Sequence, residues 1–139
     1  MNNIILPLSK DKISAAAVLE NECLDTAWSE NAISEFLLSD TAVYLYCETE
    51  GVLSGILSAT LLFGEAEIEN IAVSANFRRR GIGKDMIDAL KQKCEKIFLL
   101  VKEDNYGAIE FYVSMGFVKT GVRRGYYRGK DACVMELKV

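Results

Sequence analysis

Apolar positions recur along the chain with two periods, and the change from one to the other predicts the elements. Residues 10–24 carry Ile13, Ala16, Ala17, Leu19, Glu20 and Cys23 at the spacing of one helix face. Trp28-Ser29-Glu30 predicts the start of a second helix, with Ser29 as its cap and Ile33, Phe36 and Leu37 recurring behind it. Three strands are predicted next, at Val43–Glu48, Val52–Leu62 and Glu67–Val73, where β-branched, aromatic and other apolar residues dominate. Glu50-Gly51 predicts a tight hairpin between the first two, and Phe63-Gly64 turns the chain again.

After Val73 the period lengthens. Ile82, Met86, Ile87, Leu90 and Cys94 fall on one helix face. Ile97–Val101 is short and uniformly apolar, as a strand buried on both faces must be. Ala108, Ile109, Phe111, Tyr112 and Met115 mark another helix, closed by Gly116 just past its end. Phe117–Val122 and Cys133–Lys138 complete the chain as strands. The predicted order is β-α-α-β-β-β-α-β-α-β-β, a mixed α/β sheet with helices on both faces. Within it, Glu67 to Val101 is expected to form a right-handed parallel crossover.

Composition narrows the chemistry. The 139 residues are expected to form a single domain, 1–139, half apolar and about a quarter charged. No signal-like leader precedes Pro7, and no apolar run approaches the ~18 residues of a membrane span, so a cytoplasmic protein away from membranes is expected. The four cysteines are scattered without a CxxC pair, so buried free thiols are expected, with no metal site. There is no histidine, which removes imidazole bases, Ser-His and Cys-His pairs and most zinc sites. Proton transfer is left to carboxylates, tyrosines, lysines, thiols, the terminal amine or water. A net charge of −4 argues against direct nucleic-acid binding, despite the basic clusters Arg78–Arg80 and Arg123-Arg124.

The strongest chemical signal is Arg78-Arg79-Arg80-Gly81-Ile82-Gly83-Lys84, between a strand and a helix. Glycine lets a ligand approach the backbone, and the first helical turn offers unpaired N–H groups and partial positive charge. Such donors suit a pyrophosphate, to which the arginines and Lys84 add attraction. The spacing is neither that of a Walker loop nor, with Met86 where a third glycine would fall, that of a dinucleotide fingerprint.

Ile71-Ala72-Val73 followed by Arg78–Gly83 resembles the acetyl-CoA motif [RQ]xxGx[GA] of the GNAT acetyltransferase superfamily. Asn105–Phe117 resembles the same family's N..A..FY...GF segment. Trp28-Ser29-Glu30 and Arg123-Arg124-Gly125-Tyr126-Tyr127 are similar to stretches of its RimI branch, which acetylates the α-amino group of a ribosomal protein beginning with alanine.

The resemblance implies a mixed, mostly antiparallel sheet in which two parallel strands, here Glu67–Val73 and Ile97–Val101, splay apart around acetyl-CoA. Ile71 and Val73, flanking Ala72, would meet the pantetheine arm, the amides around Arg79–Lys84 the pyrophosphate, and Asn105 the thioester end. Tyr112 would be the general acid, placed near the sulfur. Trp28, Tyr126 and Tyr127 would hold an acceptor peptide, Tyr126 and Tyr127 from a loop before the last strand. The chain departs from the branch at Leu100, which stands where a catalytic glutamate is usual. Glu67 is the first substitute, matching the strand glutamate of histone-acetylating members. Glu69 is the second, because alternation puts Glu67, Glu69 and Ile71 on one strand face unless a bulge intervenes. Glu103 is a weaker third. A protein N-terminus, pKa ~8, tolerates a weak base better than a lysine, of which only about one in two thousand is neutral at pH 7. The expected acceptor is therefore a protein N-terminal peptide, with a ribosomal protein in view. Acetylation of a polyamine or antibiotic, and a CoA-binding module without turnover, stand as alternatives.

Overall fold

In the computed structural model, which describes residues 3–139, the chain builds a seven-stranded sheet of order β1-β2-β3-β4-β5-β7-β6. The strands are β1 (Asn3–Pro7), β2 (Ala42–Thr49), β3 (Val52–Leu62), β4 (Glu65–Val73), β5 (Lys96–Lys102), β6 (Val118–Tyr127) and β7 (Lys130–Lys138). The helices are α1 (Ile13–Cys23), α2 (Glu30–Phe36), α3 (Ile82–Lys91) and α4 (Tyr106–Ser114). Only β4 and β5 run parallel, as an α-helical crossover requires; the other neighbours are antiparallel. The element order is the predicted one.

Each face of the sheet carries its own core. On one side Ile13, Ala16 and Leu19 of α1 and Ile33 of α2 pack on Tyr44, Tyr46 and Ile56. On the other, Ile82, Met86, Ile87 and Leu90 of α3 meet Leu57, Ile97, Leu99 and Met135. All four α3 residues are buried, and each such side chain contributes roughly 1.5–3 kcal/mol. Helix α3 sits tightly on β3: a Cβ on Gly55 would lie 2.8 Å from Ile82 Cγ2 and 3.1 Å from Met86 Cε. That contact fixes where the start of α3 lies relative to the sheet.

The local signals fold as their chemistry dictates. Ser29 caps α2, its hydroxyl accepting from Ala32 N at 3.1 Å. Helix α4 ends in a Schellman arrangement, with Phe117 N–H donating to Tyr112 O and Gly116 N–H to Val113 O, both at 3.0 Å. All four cysteines are free thiols. None of the helices among the described residues is long and apolar enough to cross a membrane.

Two expectations need correction. The sixth strand does not stop at Val122; it runs to Tyr127, so Tyr126 and Tyr127 lie at a strand end and not in a loop. The β6–β7 hairpin turn at Arg128-Gly129 and a register shift between Arg123 and Tyr127 carry the strand past its apolar stretch. Secondly, β4 does contain a bulge: Ala59 pairs with Ile68 and Ser58 with Asn70, leaving Glu69 as the extra residue. Ala66 and Ile68 face α3, whereas after the bulge Ala72 joins the α1 side and Ile71 packs on the α3 side. Ile71 therefore does not share a face with Glu67.

Candidate active site

Pairing between β4 and β5 covers only Glu65–Lys96, Ala66–Ile97 and Glu67–Phe98. Beyond Glu67 the two strands separate. A cleft of about 440 Å³ opens there, lined by Ile68–Ile71 of β4, Leu99–Lys102 of β5 and residues 23–26 of the chain after α1. Its volume lies within the ~300–1,000 Å³ range of small-molecule sites. Asn105, Ala108 and Tyr112 close it from α4, and Tyr127 from β6.

Helix α3, which follows β4 in the chain, begins without a side-chain cap, its N-cap Gly81 in the left-handed region at φ 78°. A side chain there is strained, although a Cβ would meet nothing within 4 Å. The amides of the first turn are left without side-chain partners, the arrangement an anion needs. Gly83 also has a packing role: its Cβ would lie 3.0 Å from Phe111 Cζ, so it lets α3 and α4 approach. The basic side chains spread outward. Arg78 Nε donates to Val73 O at 3.2 Å, Arg80 lies over the Phe77 ring, and exposed Lys84 pairs with Asp88 at 2.7 Å. Ile71 lines the cleft; Ala72 is buried in the α1-side core, and Val73 has its carbonyl engaged by Arg78.

Tyr112 is buried, its ring packed edge-on against Phe111 and tilted against Phe117. Burial, and secondarily the neighbouring Tyr127, push its hydroxyl well above the ordinary tyrosine range, so it stays protonated. Asn105 caps α4, accepting from Ala108 N at 3.3 Å. Glu69 lines the cleft. Burial first, then the charge and hydrogen bond of Glu67, raise its carboxyl above the usual carboxylate range. Glu67 and Glu69 are thus neighbouring carboxyls on β4, of which Glu69 is the member that lines the cleft.

The three aromatics proposed for the acceptor part company. Tyr127 lines the cleft, its hydroxyl donating to Leu100 O at 3.3 Å. Tyr126 is exposed and packs edge-on against Tyr127. Trp28 packs tilted against Phe36, ring centroids 4.9 Å apart, and borders a separate depression outside α1 and α2. The chain between α1 and α2 does reach the cleft, through Leu24, Asp25 and Thr26, none of which carries a motif. Asp25 there pairs with Lys102 across the cleft at 3.6 Å.

Comparison with known proteins agrees with this geometry. Residues 13–117 match the acetyltransferase (GNAT) family. The chain is 28% identical to the [ribosomal protein bS18]-alanine N-acetyltransferase of Escherichia coli, covering 99% of this chain and 98% of that protein. It is 32% identical to the N-alpha-acetyltransferase RimI of Mycobacterium tuberculosis, over 80% of this chain and 75% of that one. The crystal structure of the E. coli ribosomal-protein-S18-alanine N-acetyltransferase superposes with a TM-score of 0.88 at 26% identity, covering 99% of this chain and 94% of that one. A spermidine N-acetyltransferase SpeG chimera from Vibrio cholerae and hSSAT shares the fold, with a TM-score of 0.84 at 18% identity over 99% and 96% of the two chains. The chain belongs to the acetyltransferase (GNAT) family and is an acetyl-CoA-dependent N-acetyltransferase.

Proposed function

We propose that this enzyme acetylates the α-amino group of a protein N-terminus, with ribosomal proteins as the first acceptors to try. The observation that carries the reading is the cleft itself: buried Tyr112 and the carboxyl of Glu69, whose affinity for a proton is raised, line one gap between β4 and β5. The likeness to enzymes named for ribosomal-protein alanine acetylation, over nearly their whole length, supports it. Residues Gly81–Lys84 would hold the pyrophosphate of acetyl-CoA, and Ile71 and Asn105 would flank its arm. Bound there, acetyl-CoA supplies the thioester whose acetyl group passes to the amine.

The chain's own residues handle the protons. Glu69 accepts one from the incoming ammonium, directly or through water, its affinity for the proton raised by burial and by the charge of Glu67. The raised affinity of Glu69 for a proton makes it a better base than an ordinary carboxylate. Tyr112 holds a proton at Oη and gives it to the departing thiolate; burial keeps that proton in place until the sulfur needs it. Leu100 adds no acid or base, so the burden falls on the β4 carboxylates and on the acceptor's own pKa of ~8.

Thiol release from acetyl-CoA, followed with alanine-starting peptides, with polyamines and with no amine, tests the reading. Turnover of the peptides is expected. Turnover of polyamines alone would sink it, and tight acetyl-CoA binding without turnover would leave only a CoA-binding module.

A further inference from the structure

Glu20 is buried completely, in the middle of an apolar helix face. A carboxylate taken out of water costs several kcal/mol unless donors replace the solvent. Here three do. Trp28 N–H donates to Oε1 at 2.9 Å, the Tyr44 hydroxyl donates to Oε2, and Asn70 Nδ2 donates to Oε1 at 3.4 Å. The strand register shows that this is a built arrangement: Tyr44 pairs with Ser58 and Ser58 with Asn70. Three polar residues, all buried, thus form a row across β2, β3 and β4 on the face that α1 covers. An apolar row would fold at no greater cost, and often with a gain, so packing alone does not account for it.

What the carboxylate joins is more telling. Trp28 N–H is the last backbone donor before the α2 cap Ser29, and it ends the segment whose Leu24, Asp25 and Thr26 line the cleft. Asn70 follows the bulge residue Glu69, and both line the cleft from β4. Glu20 lines no part of it. We infer that Glu20 is a positioning residue that locks the 24–28 segment to the bulged part of β4, and so sets the width and alignment of the acceptor side of the cleft. The inference rests on that side receiving the amine. The α3 start, built on β3 and α4, is outside the lock.

Glu20→Gln tests this, since it keeps the shape but offers one acceptor oxygen where the carboxylate offers two. Tyr44→Phe is the milder partner, removing a single donor. Trp28 is the only tryptophan, so acrylamide quenching of its emission reports the segment without any turnover. For Glu20→Gln the expected result is quenching raised at least two-fold and KM for the amine acceptor raised about ten-fold. Acetyl-CoA Kd and kcat should stay within about three-fold, with Tyr44→Phe moving in the same direction by less. Unchanged quenching together with an unchanged acceptor KM would overturn the inference. So would acceptor KM and acetyl-CoA Kd rising together, the mark of general loosening. A wild type that turns over no amine would instead defeat the acetyl-transfer reading, and the quenching arm would then decide the lock alone.

Discussion

The proposed phosphate cradle at the start of α3 and the proposed acceptor wall of the cleft are built from different materials. The cradle is backbone: amides of one helical turn, a left-handed Gly81, and a seat on β3 at Gly55. Nearly all of it comes from one short stretch of chain, and its shape follows from helix geometry. The acceptor wall is made of side chains from α1, the segment after it, the β4 bulge and the end of β6. Part of it is tied together by the buried carboxylate of Glu20, which accepts from Trp28 N–H and from Asn70. A backbone site tolerates changes in the side chains around it, whereas a side-chain site depends on elements far apart in sequence staying in register. Substitution should therefore hurt the two regions differently: all-or-none at the cradle, graded at the wall.

The largest effect is expected at Gly81. Gly81→Val forces a β-branched residue to φ 78° and should weaken acetyl-CoA binding more than ~100-fold by calorimetry, with the far-ultraviolet spectrum intact. Binding retained within ten-fold would show that the cradle is not the phosphate site. Next comes Tyr112→Phe, for which kcat is expected to fall ~10²-fold with acetyl-CoA Kd nearly unchanged. A wild-type rate would remove Tyr112 from proton delivery.

Glu69→Gln should act in a pH-dependent way. On the proposed mechanism its raised carboxyl is expected to make the wild-type rate climb as pH rises through that range. Without the carboxylate, kcat/KM should drop about ten-fold near pH 7 and recover toward pH 8.5, where the amine deprotonates unaided. Glu67→Gln should follow the same profile with a smaller loss; the reverse ranking would make Glu67 the base. Stability gives an independent sign. A carboxyl whose proton affinity is raised by folding destabilises the fold as pH climbs from its unfolded value through the raised one. Glu69→Gln is therefore expected to melt no lower than wild type at pH 8, and a clear drop would recast Glu69 as a structural support. The smallest effect is at Lys84, exposed and paired with Asp88. Lys84→Ala should weaken acetyl-CoA by less than about five-fold, and less still at high salt.

The same contrast explains what was legible in the sequence. Gly81, the capped start at Ser29 and the end of α4 at Gly116 are local, and each was readable from a few neighbouring residues. So was the element order, because apolar period follows secondary structure. The β4 bulge was not readable: an extra residue leaves no mark in Ile68-Glu69-Asn70, yet it moves Ile71 to the other face. Trp28 was legible as part of a helix start, but its tilted packing against Phe36 depends on how α2 docks. The packing of Gly83 against Phe111, from a helix more than twenty residues on, was not legible either. Glu20 did leave a signal, a carboxylate among Ile13, Ala16 and Leu19, but its partners on β2 and β4 appear only in the fold.

The most direct test of the proposed activity is the position of the acetyl group on a single acceptor. An alanine-starting peptide that also contains an internal lysine is incubated with the enzyme and acetyl-CoA, with spermidine present as a competitor, and the products are fragmented by mass spectrometry. Acetyl on the N-terminal nitrogen, with the lysine and spermidine unmodified, is the predicted result. Acetyl on the lysine ε-nitrogen, or on spermidine alone, would contradict it.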